Sequence, residues 1–344
     1  MNSDHQRSST YDLLAGHLGH LSEEQLKFFN AFKDNLAKSA LYRPPTDAEH
    51  ASHDEATLLR FLRARHFDPA KAQKQFADTE AWRMEHEVDR LYATFDSVEF
   101  ERAKHFYPRW TGRRDKHGVP VYVYRLASLT GPMHKELTSV PTERRYQRIV
   151  ALWEFMTRFT LPLCSALPHP GAPETPISAV TSIIDLADVS LGTMWSLRHH
   201  LQQASELATA HYPETLHTIA VVNAPSFFPT VWGWIKAWFD EGTRNKVHVL
   251  GKNPGPTLRG IIEPQDLPRA YGGELEWMFE DEPALDEPAK KLVDAVPKGP
   301  ILFVDGQAVR PEVLPEWNVN GVNGIGGEEE QNKERGRASG ESRN

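Results

Sequence analysis

His199 and His200 stand side by side, His17 and His20 lie three apart, and Cys164 is the single cysteine of the chain. Metal or nucleophilic chemistry would have to be built from these. Neighbouring side chains on a helix point about 100° apart, so His199 and His200 cannot both hold one metal from a single helix face. His17 and His20 have a helix-like separation, but in a terminus expected to fray. A cysteine with no paired histidine and base reads as a small buried hydrophobe rather than a nucleophile. The chain carries no Gly-x-Ser-x-Gly elbow, no phosphate loop ending in Gly-Lys-Ser or Gly-Lys-Thr, and no His-Glu-x-x-His pair. Gly321, Gly324, Gly326 and Gly327 follow no strand and read as low complexity, not as a dinucleotide fingerprint. The expectation is a binding protein, not an enzyme, with no metal and no cofactor.

One segment stands out for its oiliness: Pro225 to Asp240, Pro-Ser-Phe-Phe-Pro-Thr-Val-Trp-Gly-Trp-Ile-Lys-Ala-Trp-Phe-Asp. Pro229 fits the first turn of a helix, where its missing N–H is harmless. Val231, Trp232, Trp234, Ile235, Trp238 and Phe239 then follow at mixed spacings of three and four, which makes two faces apolar. The segment is too short to span a bilayer, which takes roughly 20 apolar residues. Three readings stay open: a doubly buried core helix, a partner-binding helix, or a lid over an apolar cavity that can also lie on a membrane.

These residues must be positioned by a chain of 344, enough for one large domain or two small ones. Lysine and arginine number 39 against 47 aspartate and glutamate, a net charge of −8, which argues against nucleic-acid binding. One cysteine excludes an internal disulfide and suits a reducing compartment, so the cytosol is expected; the opening residues resemble no secretion signal. The first part reads as helical. Ser22 caps a stretch from Leu21 to Tyr42 with Leu26, Phe29, Phe32 and Leu36 on one stripe, Thr57 to Phe67 continues, and Asp68-Pro69 starts a third helix bearing Ala72, Phe76, Thr79, Trp82 and Arg83. From Val121 the pattern alternates. Val121–Arg125, Val180–Ile184, Thr218–Val222 and Lys246–Leu250 read as strands, and Glu143–Phe159 and Leu191–His211 as helices between them, which predicts an α/β fold with a mostly parallel sheet. Ile301 to Asp305 is one further strand, and from Asn318 the composition is that of a disordered tail.

Several blocks follow one another along the chain: Leu58-Leu-Arg-Phe-Leu-Arg-Ala-Arg-His-Phe-Asp68; Tyr107-Pro108 before Asp115-Lys-His-Gly-Val-Pro-Val-Tyr122; Ile184-Asp-Leu186; Ala204-Ser205 with His211-Tyr-Pro-Glu214; Val222-Asn-Ala-Pro225; and Leu267-Pro268 with Tyr271-Gly-Gly-Glu274. In this order they resemble the CRAL-TRIO family of lipid-transfer proteins. With Leu161-Pro-Leu-Cys-Ser165, the nearest branch looks like the Sec-fourteen-like phosphatidylinositol/phosphatidylcholine-transfer proteins. The resemblance implies an N-terminal helical lobe at 21–90, a lipid-binding domain at 97–276 with an apolar pocket under a mobile gate helix, a C-terminal extension at 277–317 and a tail at 318–344. It implies a cytoplasmic monomer, peripheral on Golgi and endosomal membranes, whose partners are one phospholipid and a transient membrane surface.

Residue by residue, the resemblance assigns Arg65, His66, Gln203, Thr243 and Lys246, with Asp240, to a phosphoinositol headgroup. His66 stands where lysine is usual and is partly charged near neutral pH; Gln203 replaces a glutamate, losing a charged acceptor. For choline, Tyr122, Tyr124 and Ser182 match, while Val180 stands where a serine is usual. Aromatic faces can hold a quaternary ammonium, and both tyrosines also fit as strand core. Phe227, Phe228, Val231, Trp232, Ile235, Trp238 and Phe239 are the gate and acyl-pocket set, and Val121, Val123, Val180 and Ile183, or their alternates, the sheet lining. Arg65 and Asp68 as ion pairs, and Lys246 as a solvated strand end, are the plain structural alternatives. Transfer between membranes is the expected function; a sensor or presenter for a lipid kinase, or a carrier of a sterol or another lipophile, remains open.

Overall fold

Ser22 opens the first helix with a capping box: its hydroxyl accepts from Gln25 N, and the Gln25 side chain accepts from Ser22 N, satisfying two donors that a helix start leaves unpaired. The computed structural model describes residues 14–312 except positions 48 and 240. Five helices form the N-terminal lobe: α1 (Glu23–Lys38), α2 (Glu55–Arg63), α3 (Pro69–Glu85), α4 (Val88–Ala93) and α5 (Ser97–Ala103). Asp54 caps α2 and Asp68 caps α3 immediately before Pro69. The second helix ends at Arg63 and not at Phe67, because His66 and Phe67 take left-handed backbone angles of 52° and 60°. Phe29, Phe32 and Leu36 pack with Leu58, Leu62 and Phe76 in one buried cluster. Leu26, expected on the same stripe, is 48% exposed. At 100° per residue it lies about 90° around the helix from the centre of the other three.

The second lobe is layered. Its elements are β1 (Arg109–Arg114), β2 (Pro120–Arg125), α6 (Gly131–Ser139), α7 (Thr142–Phe155), a π-helical stretch Met156–Thr160, α8 (Leu161–Ala166), β3 (Val180–Asp185), α9 (Leu191–His211), β4 (Leu216–Val222), α10 (Phe228–Ile235), α11 (Glu241–Asn245), β5 (Val247–Val249) and α12 (Gly255–Ile261). The five strands lie in chain order; β1 pairs antiparallel with β2, and the other pairings are parallel. Helix α9 has the bounds its periodicity predicts, whereas β5 keeps three of five expected residues. Strand β1 was hidden by its own sequence, Arg-Trp-Thr-Gly-Arg-Arg, which has no apolar alternation. Gly112 within it is at φ +86°, where an added Cβ would sit 2.4 Å from Ala284 N, so only glycine fits.

An unreversed strand order puts the crossover helices on one face of the sheet. There Tyr124, Ile184, Ile219 and Val221 meet α6, α7, α9 and α10. On the opposite face Val121, Val123, Ile183, Ala220 and Val222 are sealed by α12 and the segment through Phe279. The chain then adds α13 (Glu287–Val293) and a hairpin of β6 (Leu302–Val304) and β7 (Gln307–Val309). The strand expected at Ile301–Asp305 is therefore present, but it pairs outside the main sheet.

Buried polar groups join the lobes. Glu154 of α7, 1% exposed, accepts two hydrogen bonds from Arg83 of α3 (2.8 and 3.1 Å) and one from the Tyr212 hydroxyl (2.7 Å), and pairs with Arg158 at 3.3 Å. Burial alone would raise the pKa of this carboxyl, but Arg83 and Arg158 hold it below its ordinary range. Gln75 of α3 donates to the carbonyls of Thr209 and Ala210, satisfying acceptors left open at the end of α9.

Candidate functional site

The oily segment becomes a short helix, α10, followed by a 3-10 turn at Lys236–Trp238. Pro229 lies in its first turn, as its chemistry demands. Phe228 and Val231 are buried against the helical face of the sheet, with Phe227, Trp232 and Ile235 partly buried beside them. The rings of Phe228, Trp232 and Phe239 form a row, at centroid distances of 6.4 and 6.2 Å and near-parallel planes. Trp234 points the other way, is 51% exposed, and meets the 57%-exposed Trp195 of α9 edge-on at 6.2 Å. Both faces are thus apolar, one seated on protein and one open to solvent.

Among the described residues, the one side-chain hydrogen bond from the body to this segment is from the Ser205 hydroxyl to Trp238 O, at 3.3 Å. The helix is held by apolar contact, which is non-directional, so apolar groups of another molecule could replace that contact without stranding a polar group. Its N-terminal root is firmer. Asn223, at φ 53°, donates to Asp185 Oδ1 at 2.8 Å; Ala187 N donates to the same oxygen at 2.9 Å, and the Tyr271 hydroxyl to Oδ2 at 3.1 Å. Three blocks of the family resemblance, Ile184-Asp-Leu186, Asn223-Ala-Pro225 and Tyr271-Gly-Gly, therefore meet at one carboxylate. Together they fix the chain at the start of α10.

The expected lining residues divide between the two faces of the sheet. Val121, Val123 and Ile183 lie on the sealed face and Val180 packs in a separate cluster with Tyr122, Phe155 and Phe159; side chains alternate along a strand, and the alternates Tyr124, Ile184, Ile219 and Val221 face α10. Tyr122 is buried with its hydroxyl donating to Thr160 Oγ1 at 3.1 Å, and Tyr124 is buried with its hydroxyl donating to Phe106 O at 3.3 Å. Ser182 is paired in register with Tyr122 and is 8% exposed.

The headgroup positions divide into two groups. Lys246, immediately before β5, has its Nζ 3.1 Å from Glu214 Oε2, and the same oxygen lies 3.5 Å from Arg63 Nη2. Arg63 Nη1 is 3.3 Å from His17 Nδ1. Burial, then the nearby Arg63, holds His17 down to about 3, so that ring is neutral and accepts from the guanidinium. Lys246 N donates to Thr243 O at 3.1 Å, which carries Thr243 to the same corner. Arg65 and His66 instead occupy the tight turn between α2 and α3, and the Arg65 guanidinium donates to Ala64 O. Gln203 is half-buried on α9, two residues before Ser205; Asp240 lies outside the described residues, as does the tail from Asn318. Asp68 spends its carboxylate on capping α3 and on Lys71 at 2.9 Å, not on a pairing between lobes. Arg63, Glu214 and Trp195 were missed from the sequence: the first two lie within the resembling blocks, and Leu191 with Trp195 forms an i, i+4 apolar pair. Cys164 is fully buried and its thiol is pushed up to about 12 by that burial, so it is no nucleophile near neutral pH.

Comparison with known proteins places this arrangement. Residues 18–78 match the CRAL/TRIO N-terminal domain and residues 104–273 the CRAL/TRIO domain. The chain belongs to the CRAL/TRIO family. Its relatives there include the Sec14 cytosolic factor of Schizosaccharomyces pombe, 33% identical over 262 residues that cover 76% of this chain and 86% of that one. The phosphatidylinositol/phosphatidylcholine transfer protein SFH7 of Arabidopsis thaliana is 34% identical over 245 residues, covering 71% of this chain and 42% of SFH7. The crystal structure of Sfh5 shares the fold, with a TM-score of 0.55 at 18% identity over 74% of this chain and 88% of that one.

Proposed function

We propose that the protein takes one phospholipid, phosphatidylinositol or phosphatidylcholine, into the space between the gate helix and the helical face of the sheet, and exchanges it between membranes without bond chemistry. The observation that carries this reading is the gate itself: an apolar helix seated by Phe228 and Val231, showing Trp234 to solvent, and tied to the body by one side-chain hydrogen bond among the described residues. Burying acyl chains is worth roughly 0.8 kcal/mol per methylene, so a two-tailed lipid leaves a bilayer slowly unless an apolar enclosure receives it. The names of the relatives, a cytosolic factor and a phosphatidylinositol/phosphatidylcholine transfer protein, support the same reading. The lipid is the ligand, with no other cofactor; the protein works as a monomer from the cytoplasm, touching Golgi and endosomal membranes transiently. Among the described residues no helix is long and apolar enough to cross a membrane.

The test pairs two measurements on the full chain. Mass spectrometry of lipid co-purified with the protein is expected to return a phosphatidylinositol or phosphatidylcholine species, and transfer of labelled lipid between vesicles is expected to rise in proportion to protein. Binding without transfer would overturn exchange in favour of presentation to a partner. Release of fatty acid from bound lipid would overturn the non-enzymatic reading.

A further inference from the structure

Residues 14–21 lead into α1 along a path fastened to both lobes. Leu18 and Leu21 pack on the buried cluster of α1, α2 and α3, and the Thr175 hydroxyl, from the stretch before β3, donates to Leu18 O at 2.7 Å. Gly19, at φ +79°, turns the chain there, where an added Cβ would sit 3.1 Å from Glu174 Cβ. The path carries His17 into the corner of Lys246, Glu214 and Arg63. Its Nδ1 is 3.3 Å from Arg63 Nη1, and His217 and Lys246 lie close enough to act on the same ring. His17 stands one residue before the stretch that matches the N-terminal domain of the family.

The corner is short of one negative charge. Arg63 and Lys246 each bring a positive charge, and both draw on Glu214 Oε2, at 3.5 and 3.1 Å. No second acid lies within ion-pairing distance of either among the described residues. His17, kept neutral by burial and by Arg63, adds an acceptor and no charge. It satisfies an Arg63 N–H without answering the cation. A phosphate brings the missing charge and can take two guanidinium N–H groups at once, so it outcompetes a neutral ring nitrogen that takes one.

We propose that His17 is an intramolecular stand-in for the phosphate of an anionic phospholipid: it holds Arg63 in the closed strap of residues 14–21 and yields Arg63 Nη1 to the lipid phosphate when the strap lifts. The inference rests on the proposed function and adds to it a headgroup ligand, Arg63, and a competitor built into the chain. A choline lipid, whose headgroup is neutral overall, gains little by displacing the strap. The contact therefore sets a threshold that an anionic headgroup passes more readily.

Two replacements at one position separate a stand-in from a structural prop. His17→Ala, which removes the competitor, is expected to raise phosphatidylinositol transfer between vesicles about 2–5-fold. His17→Glu, which gives Arg63 a carboxylate partner, is expected to lower it by roughly the same factor. Phosphatidylcholine transfer is expected to stay the same in both. A prop can only be weakened, so a fall in both variants, or no change in either, overturns the proposal. On an Arg63→Gln background His17→Ala is expected to bring no gain, and a gain retained there overturns the pairing with Arg63. Hydrogen exchange in the unaltered full chain decides independently of transfer. Residues 17–21 are expected to exchange roughly tenfold faster with vesicles of mixed phosphatidylinositol and phosphatidylcholine than with vesicles of phosphatidylcholine alone. Equal exchange with the two overturns the strap, whereas faster exchange without lipid transfer supports the strap and overturns the exchange function.

Discussion

Glu214 Oε2 stands 3.1 Å from Lys246 Nζ: the lysine that the family resemblance assigns to a phosphoinositol headgroup is already paired with a carboxylate. An arriving phosphate must compete for that cation. Glu214→Gln is therefore expected to raise transfer of phosphatidylinositol about 2–5-fold, since a partly exposed ion pair is worth no more than roughly 1 kcal/mol. Lys246→Ala is expected to lower phosphatidylinositol transfer by roughly tenfold while sparing phosphatidylcholine. Equal loss of both lipids in the vesicle assay would remove Lys246 from headgroup recognition.

The gate offers a division between seat and outer face. Trp232 stacks between Phe228 and Phe239 and is half-buried, as is Trp238, so their replacement by glutamate disturbs the seat. Trp234 is exposed, and Trp234→Glu is expected to leave stability within about 0.5 kcal/mol while weakening association with vesicles in a flotation assay. A cooperative melt lost on Trp234→Glu would show that this face is core.

Removing Glu154 strands Arg83, which is expected to cost roughly 3–5 kcal/mol in chemical denaturation, as for other broken buried pairs. The double replacement Arg83→Met with Glu154→Leu leaves no stranded charge and is expected to recover much of that loss. A single-site cost below about 1 kcal/mol would show that the network does not join the lobes energetically.

Burial, aided by Arg145, lowers His200 to about 4 from its ordinary 6.5, and burial, then His86 and Arg83, lowers His211 to about 4. The unfolded chain thus takes up protons that the native state refuses. Stability is complete above about pH 6.5 and declines as the pH falls toward 4, by roughly 3 kcal/mol for the deeply buried His200 alone. His200→Gln is expected to flatten the fall of Tm between pH 6.5 and 4, and an unchanged slope would remove His200 as its source.

Much of the fold was legible because local chemistry and tertiary packing agree: Ser22 and Asp68 cap the helices their positions predict, and the cores of β2, β3 and β4 read as β-branched and aromatic runs. Strand β1 was not, since its pairing comes from β2 and not from its own arginine-rich sequence. The gate was visible as oil, but not which tryptophan faces water, because mixed three and four spacing leaves the helix phase open until Phe228 and Val231 find the sheet. The site was legible in its blocks and not in its pairings. Nothing local in Arg63 or Glu214 marks them as neighbours of Lys246.

The unreversed strand order has a further consequence. Open parallel sheets usually bind ligands at a topological switch point, where neighbouring crossovers diverge to opposite faces and leave a crevice at the strand ends. A sheet running β1 to β5 in chain order has no such divergence and no ready-made crevice. Any cargo must then lie across the breadth of the sheet, in space that a crossover helix already fills. Such a topology can hold a long ligand only by making one of its own structural helices dispensable, and on the proposed function that helix is α10, rooted by Asn223 and otherwise held by apolar contact.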